Sequence, residues 1–237
     1  MNISIVGAGR AGSSFASALE LVGHDVELVH HDDLSSIGDS ALVILCVPDD
    51  AIANVAASIV PREERVIAHV AGSRNLDVLA PHPRVGSLHP LMALPSGSDA
   101  ERLIGATYCV AGDQLVLEVA LSLAGRVITL DDDQRTIYHA AAVVASNHLT
   151  ALMGQVRTLA ESIGLTLEDF LPLSQQSLVD GARFGPDDAL TGPASRGDMA
   201  TIDAHLAAIP ESERSSYVAL ANAAFELSEL RRSQTPA

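Results

Sequence analysis

Asn2-Ile3-Ser4-Ile5-Val6-Gly7-Ala8-Gly9-Arg10-Ala11-Gly12 is the stretch whose reading decides the fold. Its first five residues read as a short strand, and the next six fit G-x-G-x-x-G. An Ala/Leu/Ser-rich segment from Ala11 to Val22 then predicts a helix that stops at Gly23. Asp25 to His30 reads as the next strand. In such a strand–turn–helix unit Gly7 permits a tight turn, Gly9 lets backbone approach a pyrophosphate, and Gly12 allows close helix–strand packing. The helix start adds N–H groups and a positive dipole end, which together favour phosphate.

Moving outward, further strands are expected at 41–47, 65–70, 84–88, 106–110 and 126–130, with helical stretches such as 50–59 and 114–123 between them. Their apolar runs are continuous rather than alternating, as suits strands buried on both faces of a parallel sheet. After Leu130 the Asp131-Asp132-Asp133 break changes the pattern to helical periodicity. Asp133 to Ile163 reads as one long helix ending at Gly164, followed by helices near 167–180, 200–208 and 211–230. The expected architecture is therefore α/β: a doubly wound, mostly parallel Rossmann sheet over residues 1–130, then an all-α domain over 131–237.

Composition narrows the function. The formal net charge is −16, and all 14 basic residues are Arg, with no Lys anywhere. Without a cationic cluster, neither nucleic acid nor an anionic membrane surface is an expected partner. Cys46 and Cys109 fall inside apolar strand-like runs and read as buried thiols. No signal peptide precedes the first strand and no apolar run reaches about 20 residues, so a cytoplasmic protein is expected. The nine His show no metal-ligand spacing and the two Cys no C-x-x-C, so no metal is expected.

The expected cofactor is a dinucleotide held by Gly7, Ala8, Gly9, Arg10, Ala11 and Gly12. Its type depends on His30-His31-Asp32-Asp33, where an acid would hold a ribose 2′-OH and a cationic group a 2′-phosphate. His31 and Arg10 favour NADP, while Asp32 or Asp33 would favour NAD; NADP is the reading taken. Val47 and Pro48, ending a strand ahead of an Asp-capped helix at Asp49-Asp50, are expected against the cofactor. Ser73 and His89 are placed in edge loops after later strands, where nicotinamide and a small-molecule substrate would meet.

Three stretches carry a resemblance: Val47-Pro48-Asp49-Asp50, the run from Tyr138-His139 through Ser146-Asn147-His148, and the run from Ala189 through Thr191-Gly192-Pro193 to Arg196-Gly197-Asp198. They resemble a family of Rossmann-like oxidoreductases with a helical C-terminal domain of unknown function. That family is related to ketopantoate reductase, 6-phosphogluconate and 3-hydroxyacid dehydrogenases, and pyrroline-5-carboxylate reductase. The resemblance implies a helical domain like that of 6-phosphogluconate dehydrogenase, a homodimer, and reduction of a small 2-oxo acid, ketopantoate first. It leaves open a prephenate-dehydrogenase-like or imine-reducing enzyme, and a non-catalytic dinucleotide sensor.

The related hydroxyacid dehydrogenases place a Lys four residues before an active-site Asn; if Asn147 is that Asn, Val143 stands at the Lys position. Another proton donor is needed. His139, Val143 and Ser146 share a helix face at i, i+4 and i+7, with Asn147 beside them, so His139 takes the role, with His89 and His148 as rivals. In the Gly/Pro-rich loop around Thr191, Arg196 is the expected partner of a substrate carboxylate, or else a clamp to Asp198.

Overall fold

The computed structural model describes residues 1–30, 32–95 and 100–234. His31, expected at the cofactor, lies outside the described residues. The chain divides into two compact units, Met1–Ser146 and Asn147–Ala237.

The first unit is built on a sheet of, among the described residues, seven strands: β1 (Asn2–Val6), β2 (Asp25–Val29), β3 (Leu42–Leu45), β4 (Val66–His69), β5 (Val85–Pro90), β6 (Thr107–Gly112) and β7 (Arg126–Ile128). Their order is β2-β1-β3-β4-β5-β6-β7, parallel except where β5 meets β6. Helices α1 (Arg10–Leu21), α2 (Ile52–Ser58) and α3 (Gln114–Ser122) connect strands, and α4 (Arg135–Val143) comes after the sheet. Successive side chains of β3 enter opposite cores. Leu42 and Ile44 pack with Phe15 and Leu19 of α1 and with Val116 and Val119 of α3; Val43 and Leu45 pack with Ile52 and Ala56 of α2. This two-sided burial is why the strand sequences are apolar throughout. Cys46 and Cys109 are buried free thiols.

Among the described residues β5–β6 is the antiparallel pair of the mostly parallel sheet. Three local expectations give way to tertiary packing. β5 continues through His89 to Pro90, paired with Cys109 and Tyr108, so His89 stands in a strand rather than in a following loop. Neither Asp49 nor Asp50 caps α2: its N-cap is Ala51 without a side-chain bond, while Asp49 accepts a hydrogen bond from Ser73 at 3.2 Å. The long helix expected over 133–163 is a 3-10 turn (Asp132–Gln134), α4, a π turn (Val144–His148) and α5 (Leu149–Glu161). A π turn adds a residue to the turn and rotates the side chains beyond it, so the i, i+4, i+7 alignment of His139 with Ser146 is not kept.

The sheet ends at Ile128, close to the expected boundary at residue 130, and the compact unit runs on through α4. The second unit contains α5, α6 (Leu167–Phe184), the one-turn helices α7 (Pro186–Ala189) and α8 (Pro193–Arg196), α9 (Met199–Ala208) and α10 (Glu211–Gln234). A capping box between Thr166 and Asp169 starts α6, and Asp198 caps α9 by accepting from the Thr201 N–H at 3.1 Å. α10 packs along α7 and α8. Among the described residues no helix is long and apolar enough to cross a membrane.

Because Ile44 is fully buried at the centre of the sheet, Ile44→Ala should lower the unfolding free energy by roughly 2–5 kcal/mol, read as a lower urea midpoint at unchanged slope.

Candidate active site

Both halves of the site stand on the carboxyl edge of the sheet, where β1, β3 and β4 end in register: Val6 pairs with Leu45, and Leu45 with His69. Order reverses between β1 and β3, the switch point at which open α/β sheets bind ligands.

The first half is the glycine turn. A Cβ on Gly12 would lie 1.8 Å from the Gly7 carbonyl oxygen, and one on Gly7, at φ +109°, would lie 2.5 Å from the Cys46 carbonyl oxygen and 3.1 Å from Cγ1 of Val47. Turn, helix and β3 therefore touch backbone to backbone. Gly9 is different, because nothing lies within 4 Å of where its Cβ would be. Gly9 is the N-cap of α1 and no side chain caps that end. Open space beside uncapped N–H groups is what a pyrophosphate needs, so the turn fits a dinucleotide. Ala8, Gly9, Arg10 and Pro48 are exposed, while Ala11 and Val47 are half-buried. At the end of β2 the Asp33 carboxylate accepts from Ser35.

The second half is a polar cluster where β4, β5 and α4 meet. His69, the last residue of β4, is fully buried; its Nδ1 accepts from the Ala71 N–H at 3.2 Å, leaving the proton on Nε2. His89 Nδ1 lies 2.8 Å from the Tyr138 hydroxyl, the rings edge to face at 5.6 Å. His139 is 6.2 Å from His89 between ring centroids. A Cβ on Gly72 would lie 2.9 Å from both His139 Nδ1 and His89 Nε2, so those nitrogens converge where only a glycine fits. Beneath them Arg135 is fully buried: Nε donates to Asp132 at 3.1 Å and Nη2 to the buried Ser87 hydroxyl at 3.0 Å.

Among the described residues Arg135 Nη1 and His139 Nδ1, both in this cluster, are buried side-chain polar atoms without a partner. Each such group costs about 1–3 kcal/mol, which a fold retains where function requires it. Burial, reinforced by Arg135, lowers the His69 pKa to about 4 despite backbone hydrogen bonds and Asp49. Burial and then His139 lower His89 to about 4, with Asp49 opposing and His69 and Arg135 assisting. Burial pushes the Tyr138 phenol up to about 12. His69 and His89 thus stand as neutral imidazoles beside the protonated phenol of Tyr138. Among the described residues no group of three or more His, Cys, Asp or Glu is disposed to hold a metal.

Of the residues expected at the site, the structure gathers His89 and His139 over Gly72 and sets Ser73 on the same edge beside Asp49. Ser146 and Asn147 lie in the π turn, Asn147 exposed. Thr191 and Arg196 belong to the helical unit, where exposed Thr191 lines a cavity of about 290 Å3 with Gln155, Ile202 and Tyr217. Arg196, exposed, ends α8, and the capping carboxylate of Asp198 bonds the Thr201 hydroxyl at 2.7 Å. Sequence reasoning missed His69, Gly72, Arg135 and Tyr138 as site residues. A histidine closing an apolar strand at the edge where β1 also ends was the available signal for His69.

Residues 106–224, half of the chain, match the family described as Domain of unknown function (DUF2520). The chain belongs to the DUF2520 family. No curated protein matches it. Among solved structures this DUF2520 chain is similar to a candidate NADP oxidoreductase of Bacteroides fragilis, at 24% identity and TM-score 0.83 over 95% of this chain and 98% of that one. It is similar also to a reductive aminase from Aspergillus terreus in complex with NADPH and ethyl levulinate, at 17% identity and TM-score 0.70 over 99% of both chains. A third is the pyrroline carboxylate reductase of Plasmodium falciparum with NADP bound, at 12% identity and TM-score 0.62 over 97% of both. At these identities the DUF2520 chain shares their fold, a Rossmann sheet followed by a helical region.

Between pH 6.5 and 4 the unfolded chain protonates its histidines while folded His69 stays neutral, so this group makes stability fall as pH drops through that window. His69→Gln should therefore lose less unfolding free energy than wild type between pH 7 and pH 4.5 in urea titrations. Equal losses would mean that His69 is not held neutral.

Proposed function

We propose that this chain is an NADPH-dependent reductase of a small 2-oxo acid, with ketopantoate the first substrate to test. The observation that carries the reading is the placement of an open, uncapped helix N-terminus and a cluster of neutral proton-bearing side chains on one sheet edge of one unit. From β1 to β5 is three strand spacings, roughly 14 Å at about 4.8 Å each. The nicotinamide half of a dinucleotide together with a small substrate would bridge that span.

Gly7, Gly9 and Gly12 with the start of α1 would hold the pyrophosphate, and Val47 and Pro48 would flank the cofactor. NADP rather than NAD is supported by the fold neighbours crystallised with NADPH and NADP. The cofactor supplies a hydride when bound. His139 and His89 would then face the substrate oxygen and stabilise the charge developing there. Arg196, on the helical unit, is a proposed carboxylate-binding residue through its planar fork. Fold likeness to a reductive aminase and a pyrroline carboxylate reductase favours a second reading, reduction of a C=N bond.

The deciding experiment follows NADPH absorbance with ketopantoate, other 2-oxo acids and cyclic imines, repeated with NADH. Oxidation driven by a 2-oxo acid is the expected result, and His139→Gln should lower its turnover by about 10²- to 10⁴-fold. Silence across the panel, or turnover by imines alone, would displace this reading.

We also propose that the helical unit pairs with a second copy of the chain. Among the described residues its buried apolar side chains are Ala160, Ala194 and Ile202, and none of the residues of α6 is buried, although that helix carries Leu173, Leu178, Val179 and Phe184. So small a core leaves apolar surface that a partner helix would cover. Light scattering after size exclusion should give twice the chain mass, falling to one chain in Leu178→Glu; a monomeric wild type would refute the pairing.

A further inference from the structure

We propose that Tyr138 is a positioning residue that fixes His89 in the tautomer bearing its proton on Nε2, and that this N–H faces the substrate oxygen. The inference rests on the reductase reading for its second half only.

The geometry supplies the first step. His89 has two ring nitrogens in different surroundings: Nδ1 is 2.8 Å from the Tyr138 oxygen, while Nε2 looks over Gly72 toward His139 Nδ1. A phenol is a stronger donor than a neutral imidazole, and an imidazole nitrogen a stronger acceptor than a phenol oxygen. Tyr138 therefore donates to Nδ1, and the ring proton must sit on Nε2. Burial keeps both partners in these states, holding the phenol up to about 12 and the imidazole down to about 4. The groups acting on His89 are Asp49 after β3, His69 on β4, and Arg135 and His139 on α4; of these only Asp49 favours its cation. A single N–H results, on the Nε2 that lies close over Gly72.

The proton transfers conserve atoms and charge. Bound NADPH would supply a hydride to the carbonyl carbon, and the C=O π pair would then move onto oxygen. That oxygen takes the Nε2 proton, Nδ1 takes the phenolic proton of Tyr138, and the phenolate recovers a proton from solvent. An alkoxide is a stronger base than a phenolate, even one whose phenol is pushed up to about 12, so the transfer runs downhill. Without Tyr138, giving up the Nε2 proton would leave His89 as an imidazolate anion, a far less favourable product.

Long-range ¹H–¹⁵N correlation spectra of the labelled protein at pH 7 read the tautomer directly. The expected His89 pattern is a protonated Nε2 with a bare Nδ1. Tyr138→Phe should turn it into a tautomer mixture and lower kcat by about 10- to 100-fold with KM within about threefold. A purely structural Tyr138 would alter stability and leave both readouts in place. A wild-type spectrum with the proton on Nδ1 overturns the inference without any variant. So does a folded Tyr138→Phe protein whose His89 spectrum and kcat are unchanged. Failure of every substrate to oxidise NADPH, with the Nε2–H pattern present, counts against the reductase reading and not against the tautomer assignment.

Discussion

Backbone contact between the Gly7–Gly12 turn and the end of β3 is the constraint on which the rest depends. With a Gly12 Cβ position 1.8 Å from the Gly7 carbonyl oxygen, any side chain there would push α1 off the sheet. Because α1 stays down, Phe15, Ala18 and Leu19 reach the core beside Ile3, Ile5 and Ile44. Because the turn is so tight, the first N–H groups of α1 open toward the sheet edge instead of into protein. One steric requirement thus fixes the core on one side of β1 and an anion-binding end on the other.

At the far side of the same edge the problem is reversed, since polar side chains are buried rather than backbone exposed. Arg135 contributes a full positive charge at zero exposure, yet its carboxylate partner Asp132 is 60% exposed and screened by water. The remaining compensation comes from the dipole of the Ser87 hydroxyl. Burial already disfavours a cation at His69 and His89, and Arg135 adds to it as the second cause at His69 and the smallest at His89, so both stay neutral. Their neutrality results from packing and does not depend on solvent pH near 7.

The parts legible in the sequence are those governed by local rules. The glycine turn, the doubly buried strands and the Asp198 cap each depend on neighbours within a few residues, and each is found where the pattern placed it. The features that escaped reading are non-local. β6 runs antiparallel to β5, and apolar runs carry no sign of direction. Tyr138 and His89 are 49 residues apart, and Arg135 looks in sequence like any charge opening a helix. Asp49 reads as a helix cap because Asp usually is one, but Ser73 and Arg74 across the strand ends engage it instead. The site's outline was visible through His89 and His139, and its supporting groups were not.

A chain without Lys must handle both negative charge and proton delivery by other means, and the two ends of the sheet edge divide these tasks. Phosphate can be met by backbone N–H groups, which bring no mobile charge and never titrate. Proton delivery cannot, because a proton must leave and be replaced. An ammonium would do this with its own charge; a neutral imidazole can do it only if its far nitrogen is resupplied. The 2.8 Å contact between His89 Nδ1 and the Tyr138 hydroxyl is that resupply, and it explains why a phenol is buried against an imidazole where an apolar ring would pack as well. Gly72 serves the same pair by packing: a Cβ there would lie 2.9 Å from His89 Nε2 and His139 Nδ1, so any side chain would push the two rings off their positions.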